Sequence, residues 1–209
     1  MSELRDTLPV AAPVTDLLLV LIVAASVAGL SFAPRLIAAG LLRPWLVARG
    51  RSRYTLFTSG FLHASYGHLL FNALTLWSFG VPLERRIGSA RFLLLYLAGL
   101  LVSDLGTVWR RRADPDYASL GASGAILAVL FASILYFPLQ RIYLMLLPVP
   151  LPAWLFALGY LAYTLYASRH VRDHVNHDAH LGGALAGIVF VLITDPPALG
   201  RALSVLFHG

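Results

Sequence analysis

Leu120-Gly121-Ala122-Ser123-Gly124-Ala125 is a turn of small residues that runs directly into the apolar stretch Ile126 to Phe137. A serine held between glycines, where a loop becomes an apolar helix, can face an open site, because glycine leaves room for a second backbone or a ligand to come close. The same pattern also serves plain packing, since small residues let helices touch inside a membrane. Two features elsewhere favour chemistry. His180 opens a second glycine-rich segment, His180-Leu181-Gly182-Gly183-Ala184-Leu185-Ala186-Gly187, and His68 and Asn72 form a polar pair well before the serine.

Composition sets the class. The chain is 58% hydrophobic and 12% charged over 209 residues, against about a quarter charged in soluble domains. It reads as an integral membrane protein. With no cysteine, a disulfide, a thiol nucleophile and a thiolate metal site are excluded. Every basic residue is an arginine, and the net charge of +6 suits loops at lipid headgroups. No soluble basic domain carries that charge, which excludes a nucleic-acid binder. Met1 to Thr15 has mixed charge, and the first apolar run lacks the leader and cleavage site of a signal peptide. The expected location is a bacterial inner (cell) membrane, multi-pass.

Six apolar segments approach the length of about 20 residues that crosses a bilayer. They are Val14 to Phe32, Tyr66 to Leu83, Phe92 to Trp109, the serine turn to Phe137, Pro152 to Ser168, and Ala179 to Thr194. Residues 34–65 are different, with Arg35, Arg43, Arg49, Arg51 and Arg53 interleaved among Ile37, Leu41, Leu42, Trp45 and Leu46. That mixture belongs in the membrane interface. Pro148, Pro150 and Pro152 cannot share one helix interior, so Pro138 to Pro150 is a connector and the fifth span starts near Pro152. Residues four apart share a helix face, which sets His68 beside Asn72. Gly183 and Gly187 form a Gly-x-x-x-Gly face for close helix contact. With six spans, Ser123, His180 and His68 all lie near one membrane face.

Taken together and in order, His63, His68-x-x-x-Asn72, Glu84-Arg85-Arg86-x-Gly88, Gly121-Ala122-Ser123-Gly124 and Ala179-His180-x-x-Gly183-x-x-x-Gly187 resemble the rhomboid family of intramembrane serine proteases. The resemblance covers about residues 54–192. It implies an all-α, six-transmembrane-helix bundle in a single polytopic domain, 1–209, with an interfacial first loop over 34–65. It also implies a cofactor-free peptide-bond hydrolase whose partners are transmembrane protein substrates in the lipid bilayer. In that reading His180 takes the proton of Ser123, and His68, Asn72 and the Ser123 N–H hold the oxyanion. His63, Glu84, Arg86, Gly121, Gly124, Gly183 and Gly187 are structural.

Two positions depart from the family pattern. Tyr54-Thr55, after Arg53, stands where members often carry Trp-Arg, which leaves the anchoring of the first loop open. Leu127 stands one turn after the serine, where some members stack an aromatic ring beneath the histidine, which leaves the orientation of His180 open. Rival readings are a non-catalytic rhomboid-like binding or quality-control protein, a transporter, and a metal protein using His170, His174, His177 and His180. Both Ser123 and His180 are present, against the first. No inverted repeat is visible, against the second. No carboxylate or cysteine completes a zinc motif, against the third. Asp104 is either a third member of the catalytic set or, preferably, an interhelical contact.

Orientation is where residues and resemblance disagree. Arg35, Arg43, Arg49, Arg51, Arg53, Arg110, Arg111, Arg112, Arg169 and Arg172 fall on the Ser123 side, and only Arg5, Arg85, Arg86, Arg91, Arg141 and Arg201 on the other. The positive-inside rule, counted naively, turns Ser123 inward. The family places it outside, and the compact cluster Arg85, Arg86 and Arg91 in a short loop agrees. Single cysteines replacing Arg51 and Arg85 test this on intact cells. A membrane-impermeant maleimide is expected to label the first and spare the second; the reverse pattern puts Ser123 in the cytoplasm.

Overall fold

The computed structural model describes residues 11–144, 147–171 and 175–208; Arg5, Arg172 and His174 fall outside them. The chain is mostly helical. Helix α1, Pro13–Val27, continues as a π-helical turn, Ala28–Phe32. Short helices α2, Pro34–Gly40, α3, Pro44–Val47, and α4, Thr55–Thr58, follow, then a 3-10 turn, Ser59–Phe61. The long helices are α5, Tyr66–Ile87, α6, Ser89–Arg111, α7, Ser123–Tyr136, α8, Ala153–His170, and α9, His177–Thr194. An amphipathic α10, Pro197–His208, closes the chain. Three segments, Pro13–Phe32, Ser89–Arg111 and His177–Thr194, are both long and apolar enough to cross a bilayer.

Helix α7 is the core. Every residue from Gly124 to Ile134 is buried, as expected of a helix that is apolar all round. It packs most extensively against α9, α6 and α5. The contact with α9 is backbone to backbone: a methyl group at Gly183 would meet the Gly124 carbonyl, and one at Gly187 the Ala128 carbonyl. A methyl group at Gly99 of α6 would meet the Ala128 side chain and, less closely, the Ala125 backbone. One chain turn thus repeats on both partners, Gly124 and Ala128 facing Gly183 and Gly187.

Polar ties fix the ends. Glu84 is buried and accepts from the backbone N–H of Val14 at 3.0 Å and of Thr15 at 2.7 Å, from the Thr15 hydroxyl at 2.7 Å and from Ser89 at 2.6 Å. One carboxylate thereby satisfies the orphan donors at the start of α1 and pins α1, α5 and α6 together. Gly88, at φ 82°, turns the chain from α5 into α6 in a single residue. Arg85 and Arg86 therefore sit in the last turn of α5, where their charge suits the helix dipole, and the Arg86 guanidinium lies 5.5 Å from the Tyr136 ring.

Two elements differ from the sequence reading, and the tail after Thr194 adds a further helix. The connector after α7 carries a two-stranded antiparallel ribbon, β1, Arg141–Leu144, and β2, Leu147–Pro152, so the fold is not all-α. The Ala153 N–H bonds to the Gln140 carbonyl, so the preceding Pro152 turns its missing N–H away from the partner strand, where proline is tolerated. The tail after Thr194 is helical, anchored by Arg201 to Asp195 at 2.5 Å. Helix α9 begins at His177 rather than Ala179, because Asn176 caps it through the Ala179 N–H at 3.1 Å.

The first loop is held without a Trp-Arg pair at positions 54 and 55. Leu42 and Ser119 exchange backbone hydrogen bonds at 2.9 and 3.0 Å. Tyr54 donates to the Ala39 carbonyl at 3.2 Å, and the Arg49 guanidinium lies 3.9 Å over the Trp45 ring.

The α7–α9 contact gives a stability test. In Gly183→Val the new side chain meets backbone that cannot rotate away, so the cost is expected at or above the top of the usual 1–3 kcal/mol range for overpacking, roughly 3 kcal/mol. Thermal unfolding in detergent measures it; an unchanged midpoint would refute the contact.

Candidate active site

Ser123 is the first residue of α7 and His180 lies in the first turn of α9. Because those helices touch at Gly124 and Gly183, one residue after the serine and three after the histidine, the two side chains are forced together. His180 Nε2 lies 2.9 Å from Ser123 Oγ. Both are half-buried and line a cavity of about 790 Å³, together with His68, Ser65, Tyr117, Ser119 and Asn176. Its walls come from loops and helix ends on one side of the bundle.

The loop carrying Ser123 is positioned from behind. The Gly121 N–H donates to the Ser59 carbonyl at 3.0 Å, and the Ser59 hydroxyl donates to Asp104 Oδ2 at 2.8 Å. Asp104 is thus an interhelical contact that holds the 3-10 turn against α6. Gly121 has φ 130°, and a methyl group there would collide with the His68 imidazole. Glycine is required at this position on both counts, and its effect is to let His68 lie against the serine turn.

His68 is half-buried in the cavity wall, and the Ser65 hydroxyl accepts from its N–H at the start of α5. Asn72 sits one turn deeper, buried, with Nδ2 at 2.8 Å from His63 Nε2. His63 Nδ1 lies 2.9 Å from Ser26 Oγ, which also donates to the Phe61 carbonyl at 3.1 Å. An amide N–H can only donate, so His63 accepts at Nε2, donates at Nδ1 and is neutral. It is fully buried, and its ring stands edge-on to His68 with centroids 4.8 Å apart. Burial, with His68 as the second cause, pushes its pKa down to about 3. One amide proton of Asn72 is committed to this chain of bonds, and the other is free to point elsewhere.

The start of α9 is held by a second polar cluster. Asn176 donates to Thr107 Oγ1 at 3.0 Å and to Ser119 Oγ at 3.3 Å, joining α9, α6 and the serine loop. Asp178 pairs with Arg110 at 3.2 Å and with Arg111 at 3.5 Å, and Arg111 lies 4.9 Å over Tyr117.

One neighbour of His180 was invisible in the sequence. Tyr160 of α8 places its hydroxyl 3.0 Å from His180 Nδ1, with the two rings inclined at 29° and centroids 6.5 Å apart. Nothing marks Tyr160 among the aromatic residues of that segment. Leu127, the position where an aromatic was sought, is buried in the core. Of the four histidines considered as metal ligands, His170 stacks on Tyr166, His177 is edge-on to Tyr163 and to His180, and His174 lies outside the described residues. Among the described residues no three side chains are grouped to hold a metal ion.

The chain is similar in sequence to known proteins. A family profile described as the Rhomboid domain matches residues 50–196. Rhomboid protein 1, mitochondrial, of Saccharomyces cerevisiae is 33% identical over 142 residues, 66% of this chain and 41% of that protein. Rhomboid protease GluP of Bacillus subtilis is 32% identical over 165 residues, 79% of this chain and 30% of that protein. The human presenilin-associated rhomboid-like protein, mitochondrial, is 35% identical over 139 residues, 64% of this chain and 36% of that protein. The chain spans less than half the length of these relatives.

The neutral, buried His63 makes stability pH-dependent. Its folded pKa, about 3, lies below the ordinary value near 6.5, so its contribution is complete above about pH 6.5 and is lost as pH falls toward 3. The slope is at most about 1.4 kcal/mol per pH unit. Thermal unfolding between pH 7 and pH 4 is expected to fall for the wild type and to fall less steeply for His63→Gln; equal slopes would contradict the assignment.

Proposed function

The chain belongs to the rhomboid family, and on that premise we propose that it is an intramembrane serine endopeptidase cutting membrane proteins in or next to a transmembrane segment. The observation that carries the reading is the 2.9 Å approach of Ser123 Oγ to His180 Nε2 in the wall of a cavity of about 790 Å³. A serine hydroxyl is a weak nucleophile until a base in hydrogen-bond reach takes its proton, and neutral imidazole is such a base near pH 7.

In this reading Ser123 Oγ attacks the scissile carbonyl as its proton passes to His180 Nε2. The oxyanion is held by His68, by the second amide proton of Asn72 and by the Ser123 N–H, one of the orphan donors at a helix start. His180 then protonates the leaving amine, and water entering the cavity hydrolyses the acyl-enzyme. The bundle crosses the membrane six times, through α1, α5, α6, α7, α8 and α9, as one polytopic domain. Residues 54–192 form its core and the first loop lies in the interface. His63, Glu84, Arg86, Gly121, Gly124, Gly183 and Gly187 hold the scaffold. The membrane we assign is a bacterial cell membrane; the similar proteins include a Bacillus subtilis protease as well as mitochondrial ones.

Ser123→Ala and His180→Ala are each expected to abolish cleavage of a fluorogenic transmembrane peptide while leaving the thermal midpoint within a few degrees. A fluorophosphonate is expected to label the wild type at Ser123. His68→Ala and Asn72→Ala are expected to give graded losses below the 10²- to 10³-fold typical of a dominant oxyanion donor. Cleavage or labelling that survives in Ser123→Ala removes the Ser123–His180 dyad, whereas a wild type that neither cleaves nor labels favours a non-catalytic rhomboid-like protein.

A further inference from the structure

We infer that Tyr160 is the positioning residue of His180: its hydroxyl accepts the Nδ1 proton, fixing the tautomer and the ring plane that leave Nε2 free to take the Ser123 proton. The inference rests on the proposed roles of Ser123 and His180 and adds to them a group from a different helix.

The argument begins with proton counting. A neutral imidazole carries one N–H. For Nε2 to receive the proton of Ser123 at 2.9 Å, that N–H must be on Nδ1. Tyr160 Oη lies 3.0 Å from Nδ1 and is the acceptor that rewards this tautomer over the other. A histidine's working nitrogen is set by the hydrogen bond its other nitrogen makes. When His180 becomes imidazolium, the same contact is a hydrogen bond to a charged donor, which is stronger.

The second strand is the immobility of the phenol. The Tyr160 ring stacks on Phe156, with centroids 5.4 Å apart and planes inclined at 26°, and meets Phe131 of α7 at 6.0 Å. Phe131 lies on the same helix as Ser123, so nucleophile and orienting hydroxyl are referenced to one rigid rod. Asp104 accepts from Ser59 through Oδ2, and Leu127 offers no acceptor.

The test is the rate at which a fluorophosphonate labels Ser123, measured against pH in the full-length protein. In Tyr160→Phe, which keeps the ring and removes only Oη, the plateau rate is expected to fall about tenfold and the acidic limb to move about one unit lower, because imidazolium loses an acceptor. Tyr160→Leu is expected to do the same. His177, with its ring centroid 6.2 Å from His180, is present in every variant, so the difference between them isolates Oη. Wild-type rate and profile in Tyr160→Phe overturn the inference. So does a loss of rate without movement of the limb, which marks a packing role. Labelling of Ser123→Ala instead overturns the underlying assignment of the nucleophile, and the two failures are distinguishable.

Discussion

The contact between α7 and α9 is the constraint on which the site depends. Gly124 and Ala128 face Gly183 and Gly187 with no side chain between the backbones, so the separation of the two helices is fixed by main-chain atoms, which have no rotamers to adjust. In a membrane there is little hydrophobic force between helices, and close van der Waals contact takes its place. Ser123 and His180 sit at the open end of that contact. Their 2.9 Å separation is a consequence of helix packing, and the loops need only keep the cavity open.

What the loops and neighbouring helices supply is orientation, through buried polar groups that each have a partner. Glu84 gathers the ends of α1, α5 and α6 at one side of the bundle. On the other side, Asp104 and Ser59 hold the backbone at Gly121, Ser26 and His63 hold Asn72, and Asn176 holds the start of α9 against Thr107 and Ser119. An unpaired polar group at such depth costs several times what a formed hydrogen bond returns. Satisfied networks of this kind therefore favour one arrangement of the helices over near alternatives, which is what a site needing sub-ångström placement requires.

Much of this was legible before any coordinates. Gly183 and Gly187 announce close packing by their spacing alone, and the serine turn announces a helix start. Asp104 stands out because a charged residue in an apolar segment needs a partner, while His63 and Glu84 stand out through the family resemblance. The partners themselves were not legible. Nothing in the sequence pairs Asn72 with His63, because the two approach only when the loop before α5 folds back on that helix. Tyr160 escaped for a similar reason: an aromatic in an apolar span is ordinary, and its hydroxyl acquires meaning only once α8 and α9 are side by side. The ribbon of Arg141–Leu144 with Leu147–Pro152 was hidden because alternate prolines exclude a helix interior without by themselves specifying a strand.

The length of α7 explains how polar chemistry and an apolar bundle coexist in the proposed reading. With 14 residues, α7 rises about 21 Å, well short of a hydrocarbon core of about 30 Å. Helix α6, with 23 residues, reaches about 35 Å. A central rod shorter than its surround leaves a recess at one end, and that recess is the cavity where Ser123 begins the helix. In that reading the serine is set below the level of the surrounding loops, with water above it. A longer α7 would carry Ser123 up to the loops and away from a membrane-embedded peptide bond; a wider spacing from α9 would admit water but lose His180. The short helix and the glycine contact therefore act together: one sets the depth of the nucleophile and the other sets its distance from the base.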